Sequence, residues 1–196
     1  KVFIEFEGVR QGADFYLNGK HIGLHENGVM AVGFDLTPYL NFTGENVIAV
    51  RTDNDWKYKE RATGSRYQWN DNNFNVNYGG IPKNVWLHIT DKLYQTLPLY
   101  SNLRTTGVYI YATDICTKSR KAFVNAESEV RNEYDKSCNV SYEVCVYDYD
   151  GNWVSTFKSA PVIVKSKETV KLKAAKELEN LHFWSWGYGY LYDVKT

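Results

Sequence analysis

Asn18-Gly19 sits between two short runs, DFYL and KHIG, in which apolar residues are interleaved with polar ones. Both positions of a two-residue hairpin turn need positive φ, which Asn and Gly accept most easily, so the chain reverses there and pairs the two runs antiparallel. The same grammar recurs along the sequence. VFIEFEGV alternates, AVGFDLTPYL stops pairing at Pro38, GENVIAVRTDN begins at Gly44 and reads as a buried strand, and NVWLHIT is the next. Further on come GVYIYATDI, AFVNAESEVRNE, NVSYEVCVYDYDGNWVSTFKS, TVKLKA and YGYLYDV, with Asp150-Gly151 marking a second hairpin. In SKETVKLKAAKELENL, Lys and Glu alternate with apolar residues, but TVKLKA fits period two, so a strand followed by one short helical turn is expected. The texture changes near DKLYQTLPLYSNLRTTG, and the expected fold is all-β, with two β-sandwich domains at 1–92 and 93–196.

Composition excludes several functions. Lys plus Arg and Asp plus Glu both number 23, so no net field favours nucleic acid or an acidic membrane surface. No run of about 18 apolar residues is present to span a bilayer as a helix. The opening KVFIEFEGV reads as a strand and carries no signal-peptide pattern, so the chain is expected to begin inside a larger folded unit. The four histidines (His21, His25, His88, His182) are scattered, without ligand spacing, and neither a metal nor another cofactor is expected. Cys116, Cys138 and Cys145 cannot all pair, and they are read as small buried hydrophobes rather than disulfide partners. Two sequons, Asn41-Phe-Thr and Asn139-Val-Ser, matter only in a secretory setting.

The stretch QWNDNNFNVNY, residues 68–78, places five asparagines and an aspartate just before Gly79-Gly80. It lies within a long polar and aromatic loop between Asp53 and Gly80 that contains Trp56, Tyr58, Tyr67, Trp69, Phe74 and Tyr78. Loops of that length in compact domains usually serve function, and so many aromatics argue against disorder. Asn and Asp supply planar groups that donate to and accept from sugar hydroxyls. Trp69, Phe74 or Tyr78 would supply the face that stacks on a sugar ring. The alternative use of such a loop is purely local, its side chains closing turns on their own backbone. Trp56 and Trp86 fit core or interface positions better than sugar platforms.

Taken in order, FEGV (6–9), NGK (18–20), HENG (25–28), FDLT (34–37), GEN (44–46), TDN (52–54) and GIPKNV (80–85) resemble the sugar-binding domain of glycoside hydrolase family 2. That family includes β-galactosidases, β-glucuronidases and β-mannosidases. Pro82, Lys83 and Asn84 stand where an aromatic, an arginine and an acid are usual, and Lys83 lacks the planar fork of arginine. The later HFWSWGYGYLYDVKT resembles the family's closing strand, with Gly189 in place of a proline.

The resemblance implies a galactose-binding-like jelly roll followed by an immunoglobulin-like sandwich, both non-catalytic. In the family these lead into a (β/α)8 barrel that holds two catalytic glutamates, so the chain reads as a fragment lacking material at both ends. A retaining glycosidase needs two carboxyl groups about 5 Å apart. Glu26, Asp53, Asp55, Glu60 and Asp71 are the local candidates, but turn and loop roles suit them better, so no catalytic residue is expected here. The stretch 70–77 matches the family's loop that helps line the sugar subsite, which makes Asp71, Asn73, Asn75 and Trp69 the candidate carbohydrate contacts. The implied partners are a terminal β-galactoside or related glycan, the absent barrel of the same chain, and a second copy in a homo-oligomer, with neither nucleic acid nor membrane. An independent carbohydrate-binding module and a tandem-sandwich adhesion protein are the competing readings. The bacterial weight of the family favours a periplasmic or secreted protein.

Overall fold

Strand β1 (Val2–Phe6) pairs antiparallel with β4 (Val32–Asp35) on one side and with β6 (Val85–Ile89) on the other. Strand β2 (Gly12–Leu17) is likewise flanked by β3 (Lys20–Glu26) and β5 (Ile48–Asp53). These two three-stranded sheets form the first of two units in a computed structural model that describes residues 1–27, 29–66, 78–98 and 102–196. Lys1–Asp91 with Leu99–Thr105 make one unit, and Lys92–Pro98 with Thr106–Thr196 the other.

The period-two pattern explains the first core. Ile4 and Phe6 of β1 meet Ala13, Phe15 and Leu17 of β2 and Val32 and Phe34 of β4. The Phe15 ring lies 4.9 Å from Phe6 and 4.7 Å from Phe34. Asn18 and Gly19 take φ of 50° and 79°, as the hairpin demands. The Thr37–Tyr39 segment forms a single 3-10 turn with Pro38 in its first positions, where a missing N–H costs nothing.

Two strands depart from expectation. The strand read from GENVIAVRTDN starts at Ile48 rather than Gly44, and half of its six residues are exposed and none is buried, because β5 is the outer strand of its sheet. β6 is also an outer strand. Its Val85, Leu87 and Ile89 pair with Phe6, Ile4 and Val2, which puts them on the core face of the sheet. All three are nonetheless exposed. Trp86, expected at a core or interface, is half exposed and donates its indole N–H to Glu7 Oε1 at 2.8 Å.

In the second unit β9 (Lys121–Asn132) is the spine. β14 (Thr169–Leu178) lines one edge of it, while β7 (Leu93–Gln95) and β8 (Val108–Cys116) share the other. β12 (Trp153–Lys158), β11 (Glu143–Tyr147) and β15 (Asp193–Lys195) form a second sheet, and β10 (Cys138–Val140) pairs with β13 (Val162–Val164). Ala122, Ala126, Val130, Val144, Val146, Phe157, Leu172 and Leu178 fill the core. Gly151, at φ 81°, closes the β11–β12 hairpin.

The helical turn expected after TVKLKA is not formed. β14 stays extended to Leu178 because each residue from Thr169 is paired with β9, and the ladder outweighs the helix propensity of AAKEL. The cysteines are free thiols. Cys116 is exposed and Cys138 and Cys145 are half-buried, so their reading as buried hydrophobes fails for Cys116 and holds only partly for the others. The fold is all-β, two β-sandwiches in succession.

Candidate functional site

Three strand ends converge where the long loop begins. Gly12, the first residue of β2, pairs with Glu26 at the end of β3 and with Asp53 at the end of β5. From Asp53 the chain turns through two Asx contacts. Asp55 N–H donates to Asp53 Oδ1 at 3.1 Å, and Lys57 N–H donates to Asp55 Oδ1 at 2.7 Å. Tyr58 then lies across Gly12, where an added Cβ would stand only 2.3 Å from the ring. Its hydroxyl donates to Glu26 Oε1 at 2.6 Å, and Arg61 N–H donates to the same oxygen at 2.8 Å. Burial raises the Tyr58 pKa well above the ordinary phenol value, and the adjoining Glu26 carboxylate raises it further.

Asp14 is the second anchor. Ala13, Phe15 and Leu17 face the core, so Asp14 points to the other side of the sheet, yet it is only 5% exposed. Arg61 grips it with both terminal nitrogens, at 3.0 Å and 2.5 Å, and His21 Nε2 lies 3.0 Å from the same carboxylate. The hydrogen bonds from Arg61 hold the Asp14 carboxyl below its usual range, against burial that pushes it up, with His21 adding to the lowering. A carboxyl depressed in the folded state contributes stability above its unfolded pKa of about 4, which is lost as pH falls through the folded value. Arg61→Gln is therefore expected to move the acid unfolding midpoint upward in a tryptophan-fluorescence titration from neutral to strongly acid pH. An unmoved midpoint would remove the clamp.

The loop returns beside its departure point. Arg66 donates to the Trp56 carbonyl at 3.1 Å, which ties the outgoing arm to itself. At the far end Gly80 takes φ 94° and exchanges backbone hydrogen bonds with Arg10, at 2.9 and 3.1 Å. Gly79 packs against Asn54, where a Cβ would stand 2.5 Å from the side-chain carbon, so only glycine fits. Gln11 N–H donates to the Asp53 carbonyl at 3.2 Å, and the Arg10–Gln11 peptide is cis. The Arg10 guanidinium stacks on the Tyr78 ring, 4.3 Å from its centroid. Residues 67–77 therefore leave from Arg66 and re-enter at Tyr78, and the arms on both sides are tied to the same strand ends.

Trp69, Asp71, Asn73 and Asn75, the candidate carbohydrate contacts, lie outside the described residues, as does Phe74. Tyr78 is described and half exposed. Glu26 and Asp53, considered as carboxylates for chemistry, serve as anchors of the loop, and Asp55 closes a turn. Sequence reasoning did not single out Arg10, Asp14 or Arg61. The signal for Asp14 was present, a charge inside the apolar run GADFYL. Among the described residues no group of three His, Cys, Asp or Glu is gathered to hold a metal ion.

A family model described as glycosyl hydrolase 2 galactose-binding domain-like matches residues 1–87, and one for glycosyl hydrolases family 2 matches 108–196. A β-glucuronidase of Formosa agariphila is 40% identical over 194 residues, which cover 99% of this chain and 19% of the relative. A β-galactosidase of Bacteroides ovatus is 28% identical over 197 residues, 100% of this chain and 20% of its own. A solved structure of a family 2 β-glucuronidase superposes with a TM-score of 0.87 at 39% identity, over 99% of this chain and 20% of that one. The chain thus spans about a fifth of the length of the relatives it matches. With two models of one family falling on its two sandwiches in turn, the chain belongs to glycosyl hydrolase family 2.

Proposed function

We propose that this chain is the non-catalytic segment of a retaining exo-β-glycosidase, a scaffold for a catalytic barrel that lends the 70–77 stretch to its sugar subsite. The observation that carries this reading is the doubly tied stem: Tyr58 and Arg61 on Glu26 and Asp14, then Arg10 on Gly80. Such anchoring fixes where a loop presents its amides, and positioning of this kind is what makes a distant segment matter to rate. The hydrolytic carboxyl pair would come from the barrel, so the chain alone is inactive. A terminal β-galactoside or β-glucuronide is the substrate class that the relatives' names support.

The test is kinetic. In the parent polypeptide, replacing residues 70–77 with a Gly-Ser linker of equal length is expected to lower kcat/KM by about tenfold or more while the unfolding midpoint stays in place. The isolated chain is expected to hydrolyse neither 4-nitrophenyl β-galactoside nor the β-glucuronide. Turnover by the isolated chain would overturn the reading. Millimolar or tighter binding of galactose or lactose by that chain would point instead to an independent carbohydrate-binding module.

A further inference from the structure

We propose that the aromatic stretch 182–192 of the second sandwich is the seat on which the rest of the parent polypeptide, its catalytic barrel, packs, with Trp186 as the anchor. This rests on the reading of the chain as a scaffold and names the surface that does the scaffolding. No charged residue stands between Glu179 and Asp193. Trp184, Trp186 and Leu191 are nonetheless 65%, 94% and 67% exposed, and Tyr188 is half exposed. Tyr149, also exposed, extends the patch, its ring centroid 5.8 Å from that of Tyr190. Contiguous apolar surface of this kind is unusual on a monomer, and loss of charge with gain of Trp and Tyr marks the centre of a protein interface. The chain spans about a fifth of the length of its relatives, which leaves a large body of parent chain to cover the patch.

The patch is held rigidly and offers both a knob and a hole. Ser185 and Tyr188 exchange backbone hydrogen bonds at 3.0 and 2.9 Å, Gly187 takes φ 80°, and the tight turn displays Trp186 at its tip. Arg120 donates to the carbonyls of Leu181 and Asn180, at 3.0 and 2.8 Å, and its Nη2 lies 3.1 Å from His182 Nε2. A guanidinium only donates, so Nε2 accepts, and the His182 Nδ1–H donates to the Tyr188 hydroxyl 3.1 Å away. Trp184 joins Tyr190, Leu191 and the core residues Val146 and Leu178 in lining a cleft of about 450 Å³. A protein surface fits both features, closing over the indole of Trp186 and filling the cleft with apolar side chains, and the fixed turn leaves little freedom to lose on contact. A glycan fits less well, because from Leu181 to Tyr192 there is no carboxylate or amide side chain to bind its hydroxyls. A segment of the same polypeptide also meets the patch at high effective concentration, which a second copy does not.

The experiment is hydroxyl-radical footprinting of the parent polypeptide, read by mass spectrometry at Trp186, with N-acetyltryptophanamide as the reference. Trp186 is expected to oxidise at least about tenfold more slowly than the reference, equally at micromolar and nanomolar protein. Trp186→Ala is expected to lower the first thermal transition of the parent by about 5 °C, and Trp186→Phe by less. Trp186 buries almost nothing within its own sandwich, so that fall would report the lost partner. Oxidation of Trp186 at the rate of the reference would overturn the proposal, as would an unmoved transition in Trp186→Ala. So would protection that fades on dilution, the mark of a second copy, or protection that appears only with added lactose, the mark of a glycan. Turnover of the two 4-nitrophenyl glycosides is scored separately. Its absence would sink the glycosidase function, while protection of Trp186 would still show what covers the patch.

Discussion

Asn132→Ala is expected to lower the unfolding midpoint of the second sandwich by roughly 15 °C, from a loss of about 3 kcal/mol. Asn132 ends β9 and is fully buried. Its Nδ2 lies within hydrogen-bond distance of three carbonyls, those of Lys136 (2.9 Å), Val164 (3.0 Å) and Lys165 (3.1 Å), and its Oδ1 accepts from Tyr134 N–H at 2.9 Å. Two protons serve three acceptors, so one of the bonds is shared. The single side chain thus ties the turn after β9 to the end of β13. Alanine would strand several buried backbone groups at once and leave a void that water fills poorly. Aspartate, nearly the same shape, accepts but cannot donate to the carbonyls, so it should be no better. Thermal unfolding of the two variants settles the point, and a fall of only a few degrees would mean that the turn re-forms without its donor.

Phe15→Ala should cost the first sandwich about 4 kcal/mol, within the usual range for removing a buried phenylalanine. Phe15 has no exposed surface and sits between Phe6 and Phe34. Phe34 in turn presses on Gly23, where an added Cβ would stand 2.2 Å from the ring. With no side chain at Gly23 to move inward, the cavity would stay largely open. Phe15→Leu keeps part of the volume and should lose about half as much. The effect reaches the candidate site, because Phe15 holds β2, and Asp14 on the opposite face of that strand is the anchor for Arg61. Denaturant unfolding of the two variants checks the order. Equal losses for Leu and Ala would show that shape at this position matters more than volume.

The sequence made the architecture legible because both hairpin turns carry residues that accept positive φ, and because alternation marks which side of a pleat is apolar. It did not show what covers each side. Asp14 read as an interruption of an apolar run, and only the fold shows that Tyr58 and Arg61 come back over that face. β5 and β6 were read as ordinary strands, since pattern alone does not separate a central strand from an outer one. For β14 the local signal was mixed, and pairing with β9 along its whole length decided it. At the site, the Asn-rich stretch was legible as chemistry, whereas its anchors are contacts between residues distant in sequence that no local pattern encodes. Arg10 was hidden for the same reason, its partner ring being Tyr78.

The outer strand β6 has a practical consequence. Val85, Leu87 and Ile89 turn toward the core side yet stay exposed, and among the described residues no strand pairs with the outer edge of β6. Such an edge is a template for adding another strand, and an apolar strip beside it makes the addition favourable. A preparation of this segment by itself would therefore be prone to aggregate, so its solubility would fall with concentration. Heats measured in a sugar titration would then mix ligand binding with self-association unless the protein were kept dilute.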